Sequence, residues 1–140
     1  MTIDVYFLTD IRSTKQTEGA IYGLTLGTTP KGKEARVYYK KEITANGAGA
    51  SVQALHDMVA GDEHHIKEPH GHHIVIHSTS PYVTGCLKNL GKWSKEKWKT
   101  SKGADIKYKE MWQEIHCNIK GHEVEVIEED PEEVRKIIEG

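Results

Sequence analysis

The chain has 140 residues and a formal net charge of −2, with 36% hydrophobic and 29% charged residues. That length suits a single domain over residues 1–140 with one core, and no apolar run reaches the ~18 residues that a helical membrane span needs. Its two cysteines, Cys86 and Cys117, make no disulfide framework, so free thiols in a reducing, cytoplasmic setting and no membrane partner are the expectation.

MTIDVYFLTD opens the chain without a basic flank and with an acid inside its apolar stretch, which does not read as a signal peptide. Residues 3–10 read as a strand, with apolar side chains at 3, 5 and 7. GAIYGLTLG (19–27) has strand character, TPKGK (29–33) is a hairpin turn, and EARVYYKKEIT (34–44) is a third strand rich in β-branched and aromatic residues. Short connections make these three an antiparallel meander. After a small-residue stretch, ANGAGA (45–50), residues 51–61 space Val52, Leu55, Met58 and Val59 as a helix, with Ser51 as N-cap and Gly61 as stop. DEHHIKEPHG is a loop, and HHIVIHST (72–79) is a fourth strand buried on both faces. Ser80 and Pro81 then start a helix, and one short helix or two cover the lysine-rich stretch that follows. Residues 108–121 place Met111, Trp112, Ile115 and Ile119 on one helical face. HEVEVIEED (122–130) is a fifth strand, and Asp130 with Pro131 caps a last helix whose Glu132 and Glu133 suit its positive end. The order β-β-β-α-β-α-α-β-α predicts an α/β fold: a mixed five-stranded sheet, three antiparallel meander strands plus two parallel ones, flanked by helices.

Charge is distributed unevenly. From Lys88 to Lys109 there are eight lysines against Glu96 and Asp105, whereas residues 123–140 hold eight acids against Arg135 and Lys136. Trp93 and Trp98 sit among the lysines and Trp112 follows. A charge run alone reads as a solvated face. The interleaved aromatics also fit a nucleic-acid handle, in which lysines neutralise phosphates and release counterions. Trp112 reads as core. Trp93 and Trp98 read equally as ligand contacts or as anchors that hold the handle on the body.

Together with the element order, FLTD (7–10), TEGAIYGLTL (17–26), IVIHSTSPYV (74–83), GKWSKEKWKTSKGADIKYKEMWQEI (91–115) and GHEVEVIEED (121–130) resemble ribonuclease H of the bacterial type I kind over nearly the whole chain. The resemblance implies an RNase H-like fold and a basic protrusion that grips the DNA strand of an RNA–DNA hybrid. Lys92, Trp93, Lys95, Lys97, Trp98, Lys99 and Lys102 are then the nucleic-acid-binding residues. It also implies RNA cleavage by two divalent metals, Mg²⁺ or Mn²⁺, held by four carboxylates.

Those carboxylates are only partly present. Asp10 matches the first. The second falls on Gly49 or Ser51, and the third on Thr79 within S-T-S-P-Y-V. The fourth belongs near Glu132 or Glu133, and the family's glycine-histidine loop after the fifth strand is missing. Hard Mg²⁺ requires charged oxygen ligands, so Asp10 as a remnant metal ligand, with Glu133 beside it, predicts weak metal binding and little or no turnover. An active enzyme would need a rearranged cluster built from Asp10 with Asp57, Asp130 or Glu133. A third expectation is a protein-interaction domain whose lysines meet an acidic partner.

Six histidines, at 64, 65, 70, 72, 73 and 77, crowd the loop and fourth strand. Adjacent histidines on a strand face opposite ways and no cysteine is near, so a solvated loop is expected over a transition-metal site. Cys117, beside His116 in mid-helix, reads as inert.

Overall fold

A computed structural model describes residues 1–61 and 71–140. Its strands are β1 (Thr2–Thr9), β2 (Thr17–Thr28), β3 (Glu34–Ala45), β4 (His73–Ser78) and β5 (Glu123–Glu128). Its helices are α1 (Gly47–Val59), α2 (Pro81–Lys95), α3 (Lys109–Ile119) and α4 (Pro131–Glu139). The strands form one sheet in the order β3-β2-β1-β4-β5. β1–β2 and β2–β3 are antiparallel, whereas β1–β4 and β4–β5 are parallel. This is the mixed sheet expected from the element order.

β1 alternates as a half-covered strand should. Ile3, Val5 and Phe7 are fully buried beneath α1, while Leu8 faces the other way and packs with Leu24, Val134 and Ile138 under α4. The larger core, on the first face, takes in Leu55 and Val59 of α1, Leu87 and Leu90 of α2, and Trp112 and Ile115 of α3. β2 passes so close beneath α1 that a Cβ on Gly23 would lie 2.2 Å from the Met58 sulfur, so any larger residue would displace that buried side chain. The β2–β3 turn closes through Thr29 and Lys33, with Gly32 at φ 82°.

Two helix starts follow their sequence signals. The Ser80 hydroxyl accepts from Val83 N ahead of Pro81, and the Asp130 carboxylate accepts from Glu132 N ahead of Pro131. α1 differs from its expected start. It begins at Gly47 with Asn46 as the cap, and Ser51 is a buried residue one turn inside, its hydroxyl donating to Gly47 O at 3.0 Å. The small-residue stretch is helical because Asn46 supplies the acceptor that Gly49 N needs, at 2.7 Å. The lysine-rich stretch also differs from a second helix: α2 runs on to Lys95, and turns with an isolated bridge between Lys99 and Asp105 follow.

Candidate nucleic-acid interface and cleft

The lysine handle begins on the last turn of α2 and continues through the turns before α3. Lys92, Lys95, Lys97, Lys99 and Lys102 are all exposed, as a phosphate-contacting surface requires. Lys99 and Lys109 both pair with Asp105, bracing the handle from within. Lys97 and Trp98 take left-handed backbone conformations, φ 59° and 61°, which non-glycine residues adopt at a cost of about 1–2 kcal/mol each. The reversal turns Lys97 outward and Trp98 inward.

The tryptophans form a stack of anchors. Trp93 lies 6.4 Å from Trp98 and 6.5 Å from the fully buried Trp112, ring centre to ring centre, and Trp98 meets His116 edge-on at 5.8 Å. Trp98 is only 9% exposed. Its ring is therefore a packing element, and direct contact between it and nucleic acid is corrected to an anchoring role. Trp93 is half-buried and lines a groove with Lys92, Lys99 and Thr100, so one part of its ring remains accessible beside two handle lysines.

A second feature is a cleft of about 610 Å³ between the end of β1 and the starts of α1, α2 and α4. Ser51, one of the two positions assigned to the second carboxylate, and Thr79, assigned to the third, both line it. Of the alternatives for the second, Gly49 is crowded: a Cβ there would lie 3.1 Å from both Asn46 Oδ1 and Tyr108 OH. The Thr79 hydroxyl donates to Phe7 O at 3.2 Å.

Asp10, just beyond β1, is fully engaged by its own chain. Arg135 Nη2 of α4 donates to Oδ1 at 2.7 Å, and Tyr22 OH of β2 donates to Oδ2 at 2.7 Å. Burial raises the Asp10 pKa, but the hydrogen bonds from Tyr22 and Arg135 outweigh it and hold the carboxyl below its ordinary value. Arg135 and Lys40 also lie 5.5 and 5.6 Å from the Tyr22 ring centre. Glu133, the expected fourth acid, points elsewhere: it pairs with Lys136 at 3.5 Å on the exposed side of α4, and Glu132 lines the cleft instead. Glu133 is the neighbour that sequence register alone could not separate from Glu132.

The acids that a rearranged cluster would recruit are dispersed. Asp57 accepts from Tyr39 OH at 2.6 Å and contacts His56, whose other ring nitrogen meets Glu114 of α3. Asp130 serves as the α4 cap. Among the described residues, no group of three or more His, Cys, Asp or Glu side chains converges closely enough to hold a metal ion. Asp10 has both oxygens engaged, and the cleft beside it is lined by a single carboxylate, Glu132, with the hydroxyl residues Ser13, Thr14, Ser51, Thr79 and Ser80 and the amide of Asn46. This donor set does not fit a pair of hard dications, which need several charged oxygens to offset their mutual repulsion.

Of the six histidines, His64, His65 and His70 lie outside the described residues. His77 is buried and is not a loop residue: its ring bridges Asp4 at 2.9 Å and Glu129 at 3.0 Å and stacks on Tyr6. Cys86 and Cys117 are both free thiols. Arg135 has no signal in the sequence beyond being one of two bases in an acidic tail. The Asp10–Arg135 pair joins residues 125 apart, and a contact of that kind carries no local signal.

The model of the RNase H family matches residues 3–128. Curated relatives include a ribonuclease H of Clostridium botulinum (strain Hall), 36% identical over 64 residues, covering 44% of this chain and 42% of that protein. Another is a ribonuclease H of Caldicellulosiruptor saccharolyticus, 32% identical over 53 residues, covering 36% of this chain and 37% of that one. The chain thus spans about two fifths of the length of the curated relatives it matches. Among solved structures, LC9-RNase H1, a type 1 RNase H with the type 2 active-site motif, superposes with a TM-score of 0.71 at 17% identity, over 97% of this chain and 69% of that one. The RNase H domain of prototype foamy virus gives a TM-score of 0.61 at 14% identity, over 91% and 77% of the two chains. The foamy viral protease-reverse transcriptase in complex with RNA/DNA hybrid gives 0.63 at 12% identity, over 92% and 17%. These structural likenesses are of fold. With the family model spanning β1 to β5, the sequence motifs and the sheet order agree, and the chain belongs to the RNase H family.

Proposed function

We propose that this domain binds RNA–DNA hybrid or another duplex nucleic acid through the lysine handle and has little or no cleavage activity. The observation that carries the reading is the state of Asp10. Asp10, the acid matching the family's first metal ligand, has its two oxygens occupied by Arg135 and Tyr22, while Ser51 and Thr79 carry neutral hydroxyls where the second and third carboxylates are assigned. Exposed lysines at 92, 95, 97, 99 and 102 supply the counterion-releasing surface. The foamy viral complex with RNA/DNA hybrid supports hybrid as the duplex to try first.

A salt titration with fluorescent hybrid tests the binding. Engagement of four or five phosphates gives log K falling with log salt at a slope of roughly −4, and Lys95→Ala/Lys97→Ala/Lys99→Ala flattens it; an unchanged slope removes the handle from the interface. Family membership favours one second reading, a divalent-metal-dependent RNA–DNA hybrid ribonuclease. Hybrid cleavage in Mg²⁺ or Mn²⁺ that disappears in Asp10→Asn would establish that reading in place of the first.

A further inference from the structure

β3 and β5 end the strand order, so each has an outer side with no strand beside it among the described residues. We infer that β3 pairs antiparallel with β3 of a second copy of this chain, in a register centred on Tyr39, joining the two sheets into one. The inference goes beyond the nucleic-acid reading and uses no residue of the handle or the cleft.

Proteins usually blunt a long sheet edge with a proline, a bulge or a run of like charge. β3 runs from Glu34 to Ala45 without glycine or proline, and its register against β2 is unbroken from Thr28↔Glu34 to Thr17↔Ala45, so it holds no bulge. Its Tyr38 is 54% exposed, more than any other large hydrophobic side chain among the described residues. β5 is a different kind of edge. It has six residues, and Glu123, Glu125 and Ile127 share one of its faces. Antiparallel pairing of β5 with itself would set Glu125 against another glutamate or against Ile127, and like charges directly opposed are destabilising.

On β3 the charges alternate in sign and match themselves. Arg36, Tyr38 and Lys40 oppose Leu26, Leu24 and Tyr22 of β2, so they lie on the α4 face of the sheet with Glu34 and Glu42. In the register centred on Tyr39, Arg36 meets Glu42 of the second copy and Tyr38 meets Lys40, each twice by two-fold symmetry. Glu34 meets Thr44. On the other face Tyr39 meets its own counterpart, Ala35 meets Ile43, and Val37 lies along the stem of Lys41. None of the five charges of β3 is set against its like. Arg36 and Glu42 are both exposed and form no ion pair among the described residues, whereas Lys40 already lies 5.6 Å from the Tyr22 ring of its own chain. The Arg36–Glu42 pairs therefore carry the register. Centring on Tyr38 would oppose Arg36 to Lys40, centring on Lys40 would oppose it to itself, and centring on Val37 would pair only residues 34–40. Edge pairing covers less surface than the about 1,200–2,000 Å² of an ordinary stable complex, so the association is of micromolar strength.

The test is sedimentation velocity of the whole chain from low micromolar to near-millimolar concentration, where a dimer should grow in with concentration. Arg36→Glu and Glu42→Arg each set like charges opposite one another at two places, and each alone should weaken the dimer about tenfold. Mixed in equal amounts, the two variants regain opposite charges at both places and should form a heterodimer about as tight as the parent. Both positions are exposed, so thermal melts of the variants should match the parent. Hydrogen exchange on the unaltered chain supplies a second readout: amides of β3 should slow as concentration rises, and those of β5 should not. A monomer at every concentration overturns the inference. So does a dimer that survives both single variants, fails to return on mixing, or protects β5 in place of β3.

Discussion

The handle and the cleft lie on one domain and are built on opposite plans. The handle keeps its charges at the surface: five exposed lysines, of which Lys99 pairs with Asp105, stand over three tryptophans that fasten the segment to the core. Beside the cleft charge is tied down, because Asp10 is paired with Arg135 and Tyr22. A surface meant to meet a polyanion gains from unpaired cations, whereas a metal cradle needs unpaired anions, and Asp10 is a paired one. The difference teaches that a fold's grip and its chemistry can be read separately, since each rests on different residues.

The comparison breaks most sharply at the anchor. Trp112→Ala removes a fully buried indole and should cost about 3–5 kcal/mol of stability. Denaturant melts read this; a loss under 1 kcal/mol would show that the handle does not depend on the stack. Next in size, Lys95→Ala/Lys97→Ala/Lys99→Ala should weaken hybrid binding about a hundredfold at low salt, or ~2.7 kcal/mol, with melting unchanged. An equal loss from Arg135→Ala alone would move the dominant contact from the handle to the cleft.

A smaller effect concerns the clasp between α1 and α3. His56 is held by Asp57 and Glu114, and the hydrogen bond to Asp57, opposed by burial, raises its pKa. A folded-state pKa above the unfolded value means that the contribution is complete below the unfolded value of about 6.5 and is lost as pH rises through the folded one. Stability should therefore decline above neutrality by about 1 kcal/mol, and His56→Gln should flatten that decline. Smallest, Lys97→Gly relieves the left-handed backbone at φ 59° and should stabilise by about 0.5–1 kcal/mol, while removing one phosphate contact from the salt slope. Stability and binding would then move in opposite directions at one residue.

Much of this was legible in the sequence because it is local. Strand alternation in residues 3–10, the Ser80–Pro81 and Asp130–Pro131 helix starts, and the Trp–Lys spacing from 93 to 112 each carry their signal within a few residues. What escaped was either non-local or degenerate. Arg135 reaches Asp10 across the whole chain, Asn46 outcompetes Ser51 as a cap through a single hydrogen bond, and the choice between Glu132 and Glu133 turns on one residue of helical phase. Whether Trp98 faces solvent or core was undecidable from spacing, because two consecutive positive-φ residues redirect it.

The arrangement of α4 carries one more consequence. It covers its face of the sheet through Val134 and Ile138 against Leu8 and Leu24, a small cluster distinct from the main core, and its lateral tether is Arg135 on Asp10. A helix held by so few attachments is a candidate for sub-global opening. Its amides should exchange hydrogen sooner than those of β1 or α1, and Asp10→Asn should quicken that exchange by untying the latch.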